Sequence, residues 1–231
     1  MPWAQGGIAT APSFWSANQA PCSTPDLVIT NTLPPATNPA DINGDGRADL
    51  VLNEGWWEQP PKSAPPGRPW RKHPFLFSDD RGGAQMLVAD VNGDGRDDVL
   101  LGPDEASGCW FLLEGSAGAQ GAELIDRGCV VTGYAGWWDN TDRIRAMDVN
   151  GDGRDDVVIG PYSVDGCWYV LEGRSTRTGA SLSNRGCVAQ FKGNWSDKAE
   201  RIRPLDLNGD GAGDLLIGPS SEGAWYLLKG R

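Results

Sequence analysis

A nine-residue pattern, Asp-x-Asn-Gly-Asp-Gly-x-x-Asp, occurs four times in this 231-residue chain. The copies span residues 41–49, 90–98, 148–156 and 206–214, so their starts lie 49, 58 and 58 residues apart. The register continues beyond the pattern. Each copy runs into an apolar stretch, at 50–52, 99–101, 157–159 and 215–217, and three of these reach Gly-Pro, at Gly102-Pro103, Gly160-Pro161 and Gly218-Pro219. Aromatic runs follow at Trp110-Phe111, Trp168-Tyr169 and Trp225-Tyr226. Arg127-Gly128-Cys129 is then matched by Arg185-Gly186-Cys187, and Arg143-Ile144-Arg145 by Arg201-Ile202-Arg203. Short β-type runs broken by Gly, Pro, Asn and Ser give the periodicity of strands, not of helices. Four strands in about 50–60 residues is the size of one propeller blade. The fold class read from this is all-β: a propeller-type array of about four four-stranded blades.

The ends keep the same frame. Cys22 precedes Asp41 by 19 residues, as Cys129 and Cys187 precede Asp148 and Asp206. Residues 1–231 therefore read as a single repeat domain. Residues 1–40 form the later part of a blade, 41–89, 90–147 and 148–205 three repeats, and 206–231 the earlier part of a blade. Either 1–40 completes that last blade and closes a ring, or a neighbouring chain completes it. Unfinished sheets leave strand edges that invite pairing.

The pattern itself carries chemistry. Side-chain oxygens stand at positions 1, 3, 5 and 9: Asp41, Asn43, Asp45 and Asp49; Asp90, Asn92, Asp94 and Asp98; Asp148, Asn150, Asp152 and Asp156; Asp206, Asn208, Asp210 and Asp214. The backbone carbonyls of Arg47, Arg96, Arg154 and Ala212, at position 7, add one oxygen to each loop. A tight loop of oxygens suits Ca²⁺, which takes six to eight. The glycines at positions 4 and 6 permit the positive φ such a wrap needs. Zn²⁺ is disfavoured because the loops lack His and Cys. The loops are not EF-hands, because position 12 is Leu52, Leu101, Ile159 or Ile217 instead of a bidentate Glu. The competing reading is a turn whose Asp and Asn only satisfy their own backbone.

Charge bears on both readings. Acids outnumber bases 31 to 20, giving a net charge of −11, and 14 of the acids sit in the four nonapeptides. Four Ca²⁺ would bring the formal charge to −3 and link folding to the ion. The same acidity argues against nucleic acid and anionic membrane surfaces as partners. No apolar run approaches the ~20 residues of a membrane helix. The opening residues have neither the basic nor the apolar region of a secretory leader, as in a mature or excised terminus.

The loop, its apolar sequel and Gly-Pro together resemble the FG-GAP or VCBS-type repeat, over roughly residues 36–231. That resemblance implies a calcium-bearing β-propeller of the kind found in integrin α-subunits and in several fungal and bacterial lectins. Gly-Pro stands here where that family has Gly-Ala-Pro, no Phe-Gly element is evident, and about four blades replace the usual seven.

Cys109 and Cys129 are 20 residues apart, as are Cys167 and Cys187. Such repeated pairs on neighbouring strands predict two disulfides and an oxidising, extracellular setting. Cys22 has no expected mate. Trp110, Trp168 and Trp225 recur in register and read as core between blades. Trp137 and Trp195 also recur, and the pairs Trp56-Trp57 and Trp137-Trp138 are the candidates for stacking on sugars, with packing the stronger expectation. Asn194 lies in a glycosylation sequon. The Pro-rich stretch 59–69 reads as a surface insertion, and His73, the one histidine, as a solvated residue of a basic patch. No catalytic residue is assigned. A carboxylate pair among Asp104, Glu105, Asp165 and Glu222 is the only enzymatic candidate. The expected function is non-enzymatic: an extracellular calcium-binding module for protein–protein adhesion or assembly, including copies of itself in a filament. The alternative is a calcium-stabilised lectin whose partner is a glycan.

Overall fold

The computed structural model describes residues 38–52, 54–75, 83–104, 106–118, 121–133, 143–161, 166–190, 202–218 and 223–230. Each nonapeptide joins the first two strands of an antiparallel sheet, and the four sheets follow one another in chain order. The first contains β1 (Asn38–Ala40), β2 (Asp49–Leu52), β3 (Gly55–Glu58) and β4 (Arg71–Pro74). The second contains β5 (Gly83–Ala89), β6 (Asp98–Asp104), β7 (Trp110–Ser116) and β8 (Glu123–Val131). The third contains β9 (Ile144–Met147), β10 (Asp156–Ile159), β11 (Cys167–Thr176) and β12 (Gly179–Gln190). The fourth has three described strands, β13 (Ile202–Leu205), β14 (Asp214–Ile217) and β15 (Tyr226–Leu228). The sheets do not close on themselves as a barrel. Each straddles a repeat boundary drawn at the loop, because the strand before a loop pairs with the strand after it.

Side-chain alternation explains the continuous apolar runs. In each second strand successive residues face opposite ways, and a sheet covered on both faces needs apolar residues at every position. We call the face toward the next sheet in sequence the forward face, and the other the rear face. Val51 and Trp56, on the forward face of the first sheet, pack against Val99, Leu101 and Leu113 of the second. Leu100, Trp110 and Leu112, forward on the second, meet Val157, Ile159 and Leu171 of the third. Val158, Trp168 and Val170, forward on the third, meet Leu215 and Ile217 of the fourth. The recurrent Gly-Pro belongs to this packing. A Cβ at Gly102 would lie 3.0 Å from the Trp110 ring, and one at Gly160 3.0 Å from the Trp168 ring.

At the ends of the array two expectations are corrected, those for His73 and Trp225, and one is extended. The stretch 59–69 is exposed along most of its length, but it delivers Trp70 onto the rear face of the first sheet. There Trp70 buries Leu50, Leu52 and Trp57, so the insertion works as a cap. His73 is not a solvated patch residue. It pairs with Trp56 across β3 and β4, stacks on its ring at 3.9 Å, and meets Glu58 Oε2 at 2.9 Å. Trp225, in register with the buried Trp110 and Trp168, is 54% exposed. Among the described residues no further sheet covers it. Trp56 and Trp57 are buried, as packing requires.

Candidate functional site

The four nonapeptides fold into the same turn. The first carboxylate accepts amide hydrogens from inside the loop. Asp41 Oδ2 takes that of Gly46 at 2.7 Å, Asp90 Oδ2 that of Gly95 at 2.8 Å, Asp148 Oδ2 that of Gly153 at 2.8 Å, and Asp206 Oδ2 that of Gly211 at 3.0 Å. The position-3 asparagine oxygen and one oxygen of the first aspartate share the amide of position 5. In the first loop Asp45 N–H reaches Asp41 Oδ1 and Asn43 Oδ1, both at 3.0 Å. The same fork recurs on Asp94, Asp152 and Asp210. The position-5 carboxylate accepts the amide of position 7 at 3.0 Å in every copy. The position-4 glycines have φ of 71–74° and the position-6 glycines 78–87°, a region in which other residues are strained.

The last aspartate of each pattern is fully buried and fastens the loop to its sheet. Asp98 accepts the amides of Val91, at 3.1 Å, and Gly115, at 2.9 Å. Asp156 takes those of Val149 and Gly173, and Asp214 those of Leu207 and Gly230. Asp49 takes the amide of Gln59 at 2.8 Å. Burial pushes Asp98 up to about 8, Asp49 to about 7 and Asp156 to about 6, against the pull of these amides. Asp206 is exposed, and the amides of its own loop, Gly211 first, hold it below the ordinary range.

Two contributions were not foreseen from the sequence. The position-7 residues were considered only for their carbonyls. In three loops their guanidinium also grips the position-5 carboxylate: Arg47 on Asp45, Arg96 on Asp94 and Arg154 on Asp152. Each of these arginines also reaches a backbone carbonyl of the third strand or just beyond it, of Gln59, Gly115 or Gly173. Ala212 leaves the fourth loop without such a cation.

Position 8 joins consecutive loops. Asp97 N–H donates to Asp41 O at 2.9 Å, while Asp41 N–H donates to Asp97 Oδ2 at 2.6 Å. Asp155 holds Asp90 in the same way, at 2.8 and 3.1 Å. Gly213 keeps only the backbone half, donating to Asp148 O at 2.6 Å. Asp97 and Asp155 are raised above the usual carboxylate range by burial, with first-position aspartates among their neighbouring charges. The available signal was an aspartate shared at position 8 by the two middle loops, Asp97 and Asp155.

The donor set fits a hard cation. Every side-chain donor is oxygen, and a Cβ on any position-6 glycine would meet nothing within 4 Å. Among the described residues no three Cys, His, Asp or Glu side chains converge as a ready-made ion site. In this structure the loop oxygens are turned onto the loop's own amides. Elsewhere, Cys109–Cys129 and Cys167–Cys187 are disulfide-bonded, with Cα atoms 5.8 and 5.7 Å apart. Each bond ties the start of the third strand of a sheet, at Cys167 or at Cys109 just before it, to the fourth. Asp104 closes a turn by accepting from Ala106, Ser107 and Cys109. Cys22, Glu105, Trp137, Trp138, Asp165, Asn194, Trp195 and Glu222 lie outside the described residues. No helix among the described residues is long and apolar enough to cross a membrane.

A family model for the FG-GAP-like repeat matches residues 90–159 and again 148–217, together more than half of the chain. No curated protein matches. Among solved structures, a chain of the Photorhabdus luminescens Tc holotoxin pore superposes with a TM-score of 0.50 at 16% identity. The match covers 84% of this chain and 9% of that one, and shows a shared fold.

Proposed function

The chain belongs to the FG-GAP-like repeat family, and on that premise we propose that it is a non-enzymatic, extracellular module for protein–protein assembly, held in shape by Ca²⁺. Its sheets act as the blades of a propeller-type array. In each blade Asp41, Asn43, Asp45 and Asp49, or their counterparts in the other three loops, would hold one ion, with the position-7 carbonyl. The bound ion supplies positive charge to carboxylates that otherwise repel one another.

One observation carries this reading. The candidate loops are hydrogen-bonded to one another through position 8, at the joints between successive sheets. An ion that fixes one loop therefore bears on the joint it shares with the next. The paired disulfides support an oxidising compartment. The test is a thermal melt in millimolar calcium and in chelator. A midpoint that falls by 5 °C or more on chelation (about 1–2 kcal/mol on a domain of this size) is expected. Coincident melts would contradict the ion's structural role.

A further inference from the structure

In every sheet one residue directly precedes the amide that fastens the last aspartate of the loop. Gln59, Gly115, Gly173 and Gly230 donate those amides, so the equivalent residues are Glu58, Glu114, Glu172 and Lys229. Their partners differ. Glu58 meets His73 of its own sheet, and Glu172 is gripped by Arg174 and Arg185 of its own sheet. Glu114 reaches further. Its Oε2 accepts from Arg127 Nε on β8 at 2.5 Å and from the Ala180 amide, on β12 of the next sheet, at 2.9 Å. Its Oε1 accepts from the side-chain nitrogen of Asn92, in the second loop, at 3.2 Å. The Glu114 side chain is only 12% exposed. A Cβ on Gly179, where β12 begins, would collide with both Glu114 and Arg127, so the third sheet seats directly on the pair.

We infer that Glu114 is a positioning residue for the second ion loop and ties that loop to the seating of the third sheet. An ionised carboxylate only accepts hydrogen bonds. Asn92 must therefore turn its nitrogen toward Glu114 and its oxygen into the loop, where Oδ1 accepts the Asp94 amide at 2.9 Å. Asp94 Oδ2 takes the same nitrogen at 3.2 Å, but Asp94 is itself a ligand position. Glu114 is the partner supplied from outside the loop. Because one carboxylate serves both Asn92 and the Ala180 amide, an ion that orders the loop also orders the joint. The inference rests on the calcium reading and deepens it, since it makes asparagine, not aspartate, the residue this loop requires at position 3.

The test inverts the pair. On ligand chemistry alone Asn92→Asp adds a charged oxygen donor and should tighten calcium binding. Opposite Glu114, however, it sets two carboxylates within hydrogen-bonding distance, where like charges repel. Adding Glu114→Gln supplies a nitrogen for the new carboxylate and leaves an oxygen for Ala180. Bound Ca²⁺ per full chain is measured by equilibrium dialysis over a range of free Ca²⁺. Asn92→Asp should weaken one site about tenfold or more, and the double variant should restore it. Asn43→Asp, Asn150→Asp and Asn208→Asp should weaken none. Ca²⁺ should also slow hydrogen exchange at the Ala180 amide, an effect that Glu114→Ala abolishes and Glu172→Ala keeps. Full binding in Asn92→Asp, no recovery in the double variant, or calcium-dependent protection of Ala180 that survives Glu114→Ala would overturn this inference alone. A wild type that binds less than one ion per chain sinks the calcium reading, and this inference with it.

Discussion

Asp97 holds Asp41 across the joint between the first two sheets by a reciprocal pair of hydrogen bonds, amide to carbonyl at 2.9 Å and amide to carboxylate at 2.6 Å. The pair fixes the distance between two loops that belong to different sheets, and Asp155 repeats it on Asp90. Losing the carboxylate strands the Asp41 amide in a partly buried place, at a cost of about 1–3 kcal/mol. Asp97→Ala should therefore lower the unfolding free energy read from a urea titration by that amount. Asp97→Asn keeps an acceptor and removes a charge from among Asp41 and Asp90, so most of the stability should return. Equal loss in both variants would show that charge, not the hydrogen bond, is what matters there.

The buried last-position carboxylates make stability depend on pH in a defined direction. Asp156, Asp49 and Asp98 are pushed up to about 6, 7 and 8 by burial. A folded-state value above the unfolded one means that the folded chain binds the extra proton. Stability is then greatest below the unfolded value and is lost as pH rises through the folded one. In chelator, the urea midpoint should fall between pH 5.5 and pH 8.5. Calcium opposes that loss, so its stabilising increment should grow with pH over the same window. A chelated protein that gains stability toward pH 8 would contradict these burial-driven shifts.

The two disulfides brace the outer edges of the second and third sheets. Each closes a loop of 20 residues, worth about 3 kcal/mol in the chain-entropy model. Replacing Cys109 and Cys129 together by Ser should cost about that much. A reductant should lower the wild-type midpoint by more than it lowers that of the variant. Identical reductant sensitivity would mean that this bridge contributes nothing.

Trp70 covers Leu50, Leu52 and Trp57 without being part of any strand. Trp70→Ala removes a buried aromatic at a cost of about 3–5 kcal/mol and uncovers an apolar rear face. The variant should melt lower and should sediment as larger species than the wild type, because an apolar face is then uncovered. Unchanged mass would show that the cap does not control assembly.

Much of this was legible because the chain repeats. Leu100 and Val158 mark second strands, Cys129 and Cys187 mark fourth strands, and one interpretation had to serve every copy. What escaped was of two kinds. Asp97 and Asp155 had been counted only as charge, because a clasp to a residue 56 or 65 positions away has no local signature. The arginine side chains at position 7 were missed for the opposite reason: the neighbouring carbonyl already explained the position. Trp70, His73 and Trp225 depend on what lies beside them. Trp70 and His73 have no counterpart in other repeats, and Trp225 matches buried residues but, among the described residues, has no following sheet to bury it.

Ion stoichiometry tests the central claim most directly. The purified chain, with every disulfide intact, should be stripped with chelator, dialysed against millimolar Ca²⁺ in the presence of Mg²⁺, and assayed for metal per chain. Four bound Ca²⁺ are expected, falling by one in Asp148→Ala, whose Oδ2 holds the Gly153 amide at 2.8 Å. Less than one Ca²⁺ per chain under these conditions would contradict the account and leave the loops as turns that satisfy only their own backbone.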